Sequence, residues 1–250
     1  MCVLNSMPYI VSSVESFRKQ KYKTKELIIV HSKSKDNTQY YLDSIKDKNI
    51  KKFNYNGSIY KALNFGISKA KGKVIGVLHS DDIFFCPNTL DQVISKFKEK
   101  NTDIVYGNIL FSKKNNLLNI VRIWDNINIS NDYEIPPHTG TFIKKKVYKM
   151  IKYNESYEIS ADTDFLIKIF KKKLRSSYLK KYITIMRTGG LSTNIFFFIK
   201  KAKEDLKIYK VNNLTFFDYF MKLFSKKKQL YSNKYLKKTK YQRVLNDLSN

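Results

Sequence analysis

The sequence predicts an α/β fold: a mainly parallel central sheet with helices on its faces. Three observations carry this. Apolar runs of strand length recur at residues 26–30, 74–78 and 104–111, each next to polar turn residues. Stretches with apolar residues at helical spacing lie between them, so strands and helices alternate as in βαβ units. The run Val74-Ile75-Gly76-Val77-Leu78 leads into Ser80-Asp81-Asp82, and ligands of open α/β sheets bind at strand ends.

Taken in order, residues 10–18 read as a helix with Ile10, Val14 and Phe17 on one face and Ser12 or Ser13 as its cap. Residues 26–30 form a buried strand that runs into the polar turn 31–38. A helix covers 38–45 and a strand 50–55. Gly57 opens a loop before a helix at 59–70, and the strand 74–78 follows. Leu90, Val93, Ile94 and Phe97 give residues 88–98 an apolar helical face, ahead of the strand 104–111. The rhythm then changes. Strands are expected at 120–124, 141–143 and 182–186, a loop at 136–140, a helix at 162–170 and a turn at 189–192. Beyond Asn194 the chain is lysine-rich, aromatic and helical to about Leu248. This divides it into a domain at 1–194 and a basic tail at 195–250.

The chain has 250 residues, enough for one large domain or a domain with an appendage. Its 42% hydrophobic and 14% aromatic content excludes a disordered chain. A formal charge of +27 draws polyanions: nucleic acid, phosphates or an anionic membrane face. The excess also matches the Lys, Asn, Ile, Tyr and Phe bias of AT-rich coding. Cys2 and Cys86 make no disulfide framework and no Cys/His cluster has zinc spacing, which points to a reducing, cytoplasmic setting. No apolar run approaches the roughly 18 residues of a spanning helix.

Adjacent carboxylates such as Asp81 and Asp82 repel each other unless something positive lies beside them. Mg²⁺ or Mn²⁺ bridging to phosphate answers this, because hard cations take oxygen ligands. A solvated turn that caps a helix is the plainer alternative.

Seven segments then fall into a recognisable order. They are Ser6-Met7-Pro8-Tyr9-Ile10, the strand 26–30 with Ser34-Lys35-Asp36-Asn37-Thr38, the stretch from Gly57 to Ile67, Ser80-Asp81-Asp82, His138-Thr139-Gly140-Thr141-Phe142, Ala161-Asp162-Thr163-Asp164 and Gly190-Leu191-Ser192. Residues 5–194 thus resemble a family 2 inverting glycosyltransferase with the GT-A fold, of the bacterial cell-surface polysaccharide type. The resemblance implies a divalent cation (Mg²⁺ or Mn²⁺) on Asp82. It places the nucleotide-sugar among His31, Asp36, Gly57, Asn64, Gly66, Ser80, Asp81 and His138. The general base becomes Asp162, with Asp164 as the alternative. An inverting transfer needs such a base to take the acceptor's hydroxyl proton.

Two departures from the family pattern stand out. The family's first strand appears only as its end at Met1, so a missing central strand is expected. His31 and Lys61 stand where the family has Asp, which puts donor specificity and activity in question. The expected partners are a nucleotide-sugar donor, UDP-sugars ahead of dTDP- or GDP-sugars, and a glycan or lipid-linked acceptor. A catalytically inactive truncated paralogue is the alternative. A nucleic-acid-binding protein is a further one, disfavoured because the lysines are spread along the chain and no nucleic-acid motif occurs. In the tail, Phe217, Phe220, Met221 and Phe224 recur at i, i+3, i+4, i+7 near Lys226-Lys227-Lys228, a pattern suited to peripheral attachment at the inner, anionic face of the cytoplasmic membrane.

Overall fold

The structure, a computed structural model, describes residues 1–99, 102–129, 131, 134–189 and 195–235. Its first part is a parallel three-stranded sheet, ordered β1 (Cys2–Val3), β2 (Leu27–His31), β3 (Ile50–Asn54). The β2 strand alternates between two cores. Leu27 and Ile29 pack with Ile10, Val14 and Phe17 of α1 (Tyr9–Arg18) and Leu42 of α2 (Thr38–Ser44). Ile28 and Val30 pack with Tyr60, Ala62 and Leu63 of α3 (Ile59–Lys69). A strand buried on both faces reads as an unbroken apolar run, which is how Leu27-Ile28-Ile29-Val30 reads.

The second part is a six-stranded sheet: β4 (Val74–Gly76), β8 (Thr141–Lys144), β6 (Ile104–Lys113), β9 (Ser176–Arg187) and β5 (Ile83–Phe84) in that order, with β7 (Asn116–Trp124) also on β6. Here β6 and β9 run parallel, and the other pairs are antiparallel. The expected parallel rule therefore holds for the first sheet, while the second is mixed. The central β6 is buried on both faces. Val105 meets Leu90, Val93 and Phe97 of α4 (Thr89–Glu99), and Ile104 meets the core that holds Phe165 and Leu166 of α6 (Ala161–Lys171).

Several expectations change. The first strand is present in part, since β1 pairs Cys2 with Val30 and Val3 with His31. Ser12 and Ser13 lie inside α1 rather than capping it, because the helix begins after Pro8. The 74–78 strand stops at Gly76, so Asp81 and Asp82 lie in a turn between β4 and β5 rather than at a strand terminus. The strand β5 and the helix α5 (Lys145–Met150) went unread, and β9 is longer than expected. After β9 come α7 (Ile195–Val211) and α8 (Phe216–Tyr235). The Gly190-Leu191-Ser192 turn and the chain beyond Tyr235 lie outside the described residues. Among the described residues, no helix is long and apolar enough to cross a membrane.

Candidate active site

Residues 79–82 fold into a tight acidic turn closed by the Asp82 amide, which donates to the His79 carbonyl at 3.2 Å. The Ser13 hydroxyl, inside α1, is shared between the carbonyls of His79 and Asp82. Ser80 and Ser6 exchange a hydroxyl hydrogen bond at 2.9 Å. Arg187, at the end of β9, braces the turn from the other side. Its backbone N–H donates to Asp82 Oδ1 at 3.3 Å and its Nε to the Asp81 carbonyl at 2.9 Å. Its remaining guanidinium nitrogens reach the Lys114 carbonyl and the Ser12 hydroxyl, both at 2.9 Å.

The turn treats its two carboxylates differently. Asp81 is partly exposed, whereas Asp82 is 1% exposed and its Oδ2 has no hydrogen-bond partner. Burial, and then the charge of Asp81, push the Asp82 carboxyl well above the usual carboxylate range. A buried carboxylate oxygen without a donor is the site that a cation satisfies. Among the described residues no group of three or more His, Cys, Asp or Glu side chains is arranged to hold a metal alone. Two carboxylates completed by substrate phosphates and water still fit Mg²⁺, which is bound in that way.

The second carboxylate pair opens α6. Asp162 is partly exposed, and its Oδ1 accepts the Thr163 amide at 2.8 Å and the Tyr60 hydroxyl at 3.4 Å. Asp164 is 0% exposed and fully engaged, by Lys168 Nζ at 2.7 Å and Asn212 Nδ2 at 2.9 Å. The structure thus separates two aspartates that the sequence left as alternatives: Asp162 has an accessible carboxylate, and Asp164 is a buried ion-paired strut.

Two histidines, one of them in the acidic turn, feel the charge of Asp162. The His79 and His138 rings are 6.1 Å apart, and His138 Nε2 shares a hydrogen bond with the Tyr153 hydroxyl at 2.5 Å. Burial lowers the pKa of His79, against the opposing charges of Asp81 and Asp162. Burial takes His138 down to about 4, again against Asp162. Both rings are therefore neutral near pH 7.

The other sequence-derived residues are dispersed. Asn64 grips the 153–155 segment, donating to the Tyr153 carbonyl and Glu155 Oε1 and accepting the Tyr153 amide. Gly66 lets α3 sit on β2, since a Cβ there would lie 2.9 Å from Val30 Cγ2. At Gly57 a Cβ would meet the Tyr55 ring at 2.7 Å. Asp36 accepts the amides of Met7 and Thr38, fixing the entry to α2. Asn64, Gly66 and Asp36 each make contacts that hold neighbouring segments in place. His31 ends β2 with a buried Nδ1 that lacks a partner, and burial lowers its pKa.

Residues 1–155 match the model described as Glycosyl transferase family 2. The chain belongs to this family. An uncharacterized glycosyltransferase of Rickettsia bellii is 31% identical over 201 residues, which cover 73% of this chain and 28% of that protein. The minor teichoic acid biosynthesis protein GgaB of Bacillus subtilis is 28% identical over 77% of this chain and 23% of its own length. The family 2 chain thus spans only about a quarter of those relatives. Its fold is of the GT-A type. Staphylococcus aureus TarS (residues 1–349, with UDP-GlcNAc) superposes with a TM-score of 0.62 at 19% identity, covering 75% of this chain and 57% of that one. Mannosyltransferase PcManGT of Pyrobaculum calidifontis, with GDP-Man and Mn²⁺, gives 0.62 at 14% identity, covering 84% and 61%.

Sequence reasoning missed two residues that brace these segments. Arg187 carried one signal, an arginine closing an apolar run in a lysine-rich chain. Glu204 of α7 carried none. Its carboxylate accepts the backbone N–H groups of Glu158, Ile159 and Ser160 at 2.9 Å each, and so holds the segment that delivers Asp162. Lys201 adds a bond to Ser160 Oγ at 2.9 Å. The helix α7, at the start of the tail expected at 195–250, therefore holds residues 158–160.

Proposed function

We propose that the protein is a metal-dependent inverting glycosyltransferase. It moves a sugar from a nucleotide-sugar, foremost a UDP-sugar, to a hydroxyl of a glycan or lipid-linked acceptor in cell-surface polysaccharide synthesis. One observation carries this reading: Asp162, partly exposed, and Asp81 of the acidic turn both act electrostatically on the neutral His79 ring, which ties the two carboxylates to one neighbourhood. Asp162 accepts the acceptor's proton, and the Tyr60 hydroxyl, itself anchored on the Ile159 carbonyl at 2.6 Å, orients that carboxylate. Asp81 and Asp82 would hold Mg²⁺ or Mn²⁺, which when bound neutralises the charge of the departing diphosphate. Arg187 adds fixed positive charge behind the turn. The names of GgaB and of the TarS complex support an envelope-glycan setting and a UDP-sugar donor.

Attachment to an anionic membrane at the cytoplasmic face belongs to the same proposal. Phe216, Phe217, Phe220, Leu223 and Phe224 line the outer face of α8, each 41–73% exposed, while Tyr219 and Lys222 face inward. The stripe runs through Leu223 rather than Met221, which is partly buried. A face this apolar on a chain of charge +27 suits an anionic lipid interface.

The test is nucleotide release. The protein is incubated with Mn²⁺ and a panel of UDP-, GDP- and dTDP-sugars, with and without lipid-extracted acceptors. The proposal expects UDP release that EDTA abolishes. Release that is absent with every donor identifies the inactive paralogue instead.

A further inference from the structure

Among the described residues, Lys222 is the only buried lysine, 8% exposed on the inner face of α8. Its Nζ makes no hydrogen bond. Asp205 Oδ2 of α7 lies 3.6 Å away, an ion pair too long for a hydrogen bond. The Tyr209 ring, one turn along α7, has its centroid 5.1 Å from Nζ and adds a cation–π contact. Tyr219, one turn before Lys222 on α8, meets Tyr209 edge-on at 5.5 Å. Burial lowers the Lys222 pKa, and the charges of Asp205 and Asp162 oppose that shift. An apolar side chain of the same length would fill this space without the cost of taking an ammonium out of water. The charge is therefore accounted for by what it holds.

It holds Asp205, which is 3% exposed and offers one oxygen to each of two cations. Oδ2 faces Lys222, and Oδ1 accepts from Lys201 Nζ at 3.2 Å. Lys201 also donates to Ser160 Oγ at 2.9 Å. Ser160 is fully buried and immediately precedes α6, whose first turn carries Asp162. Glu204, the neighbour of Asp205, accepts the Ser160 amide at 2.9 Å. A line of contacts thus runs from α8 to α6: Lys222, Asp205, Lys201, Ser160. Removing the Lys222 charge changes the pull on the shared carboxylate, and Lys201 moves with it, because one carboxylate holds both ammonium groups.

We infer that Lys222 is a positioning residue for the transfer reaction: through Asp205, Lys201 and Ser160 it sets where the first turn of α6 presents Asp162. The inference rests on the reading of Asp162 as the base. It gives α8 two faces with two tasks. The outer aromatic face is the one assigned above to lipid, and the inner face holds the entry to α6. A base displaced by a fraction of an ångström still leaves the donor bound, so the cost falls on the chemical step.

The experiment is a double-mutant cycle of Lys222→Met and Ser160→Ala in the full chain. It reads the hydrogen exchange of the Glu158, Ile159 and Ser160 amides, and kcat and KM for nucleotide release from a UDP-sugar with Mn²⁺. Lys222→Met should speed exchange at 158–160 by about tenfold while the amides of β6 keep their protection. It should lower kcat by about tenfold and leave the donor KM within about twofold. Ser160→Ala should act the same way. The double variant should be no worse than the stronger single one, because both substitutions cut one line. Lys222→Arg, which keeps a charge beside Asp205, should restore exchange and kcat together. Effects that multiply in the double variant would overturn the inference, as would acceleration spread equally over β6 and residues 158–160. Asp162→Asn is measured alongside. Retained turnover there sinks the reading of Asp162 and this inference with it. Lost turnover there, with wild-type exchange and kcat in Lys222→Met, sinks the inference alone.

Discussion

Two aspartate pairs, 81/82 and 162/164, are built in opposite ways. In each, one carboxylate is partly exposed and the other is buried at 0–1%. Asp164 is buried with both oxygens engaged, by Lys168 and Asn212. Asp82 is buried with Oδ2 unpartnered and a raised pKa. A buried charge that is fully paired holds structure together, and its partners are costly to remove. A buried acceptor left unpaired strains the fold until a ligand arrives. On this comparison the α6 pair divides into a partly exposed carboxylate, the proposed base, and a strut, while the turn keeps one buried oxygen unpartnered for the proposed cation.

The largest effect expected is on transfer. Asp162→Asn should lower turnover by about 10²–10⁴-fold. Nucleotide binding should be nearly unchanged, and single-turnover assays beside calorimetry would separate the two. Should Asp164→Asn produce that pattern instead, the comparison breaks. Asp164→Ala should act on stability, by about 3 kcal/mol in urea denaturation, because it strips Lys168 and Asn212 of their partner.

His138 supplies a pH test. Its folded pKa of about 4 lies below the ordinary 6.5, so the folded protein keeps it neutral while the unfolded chain takes up a proton. The stability it supports is whole above about pH 6.5, declines as pH falls toward 4, and is then fully lost, an effect on the order of 3 kcal/mol. His138→Gln should flatten that slope but keep the share due to His79, whose pKa is lowered in the same way. An unchanged slope would show that His138 is not held neutral. The smallest effect sharpens the contrast directly. Asp82→Asn in EDTA should stabilise the protein by about 1 kcal/mol, because a neutral amide replaces a buried carboxylate that has a bare oxygen.

β2, β4 and β6 were legible because each lies in a continuous apolar run, and α1, α3 and α4 because each has one apolar face. Reading stopped where these signals stop. Ile83-Phe84 is too short to show a period, and Lys180-Lys181 interrupts β9, hiding its first half. The site was legible as motifs but not as roles. Two aspartates one residue apart look alike in sequence, and only the contacts from Lys168 and Asn212, the latter from beyond α7, tell them apart. Asn64 and Gly66 show the converse. Their spacing marked a functional helix, and the structure gives them the work of gripping Tyr153 and admitting Val30. Glu204 was beyond reach, because an acidic residue on a lysine-rich helix reads as solvated until its acceptor role toward residues 158–160 is seen.

The central claim is that the acidic turn is a cation-dependent nucleotide-diphosphate site. Isothermal calorimetry of UDP with Mn²⁺ and with EDTA, on the wild type and on Asp81→Asn, tests it most directly. UDP should bind in Mn²⁺ and weaken by at least about tenfold, or 1.4 kcal/mol, in EDTA and likewise in the variant. Equal UDP affinity in Mn²⁺ and EDTA, or full affinity in Asp81→Asn, would contradict it.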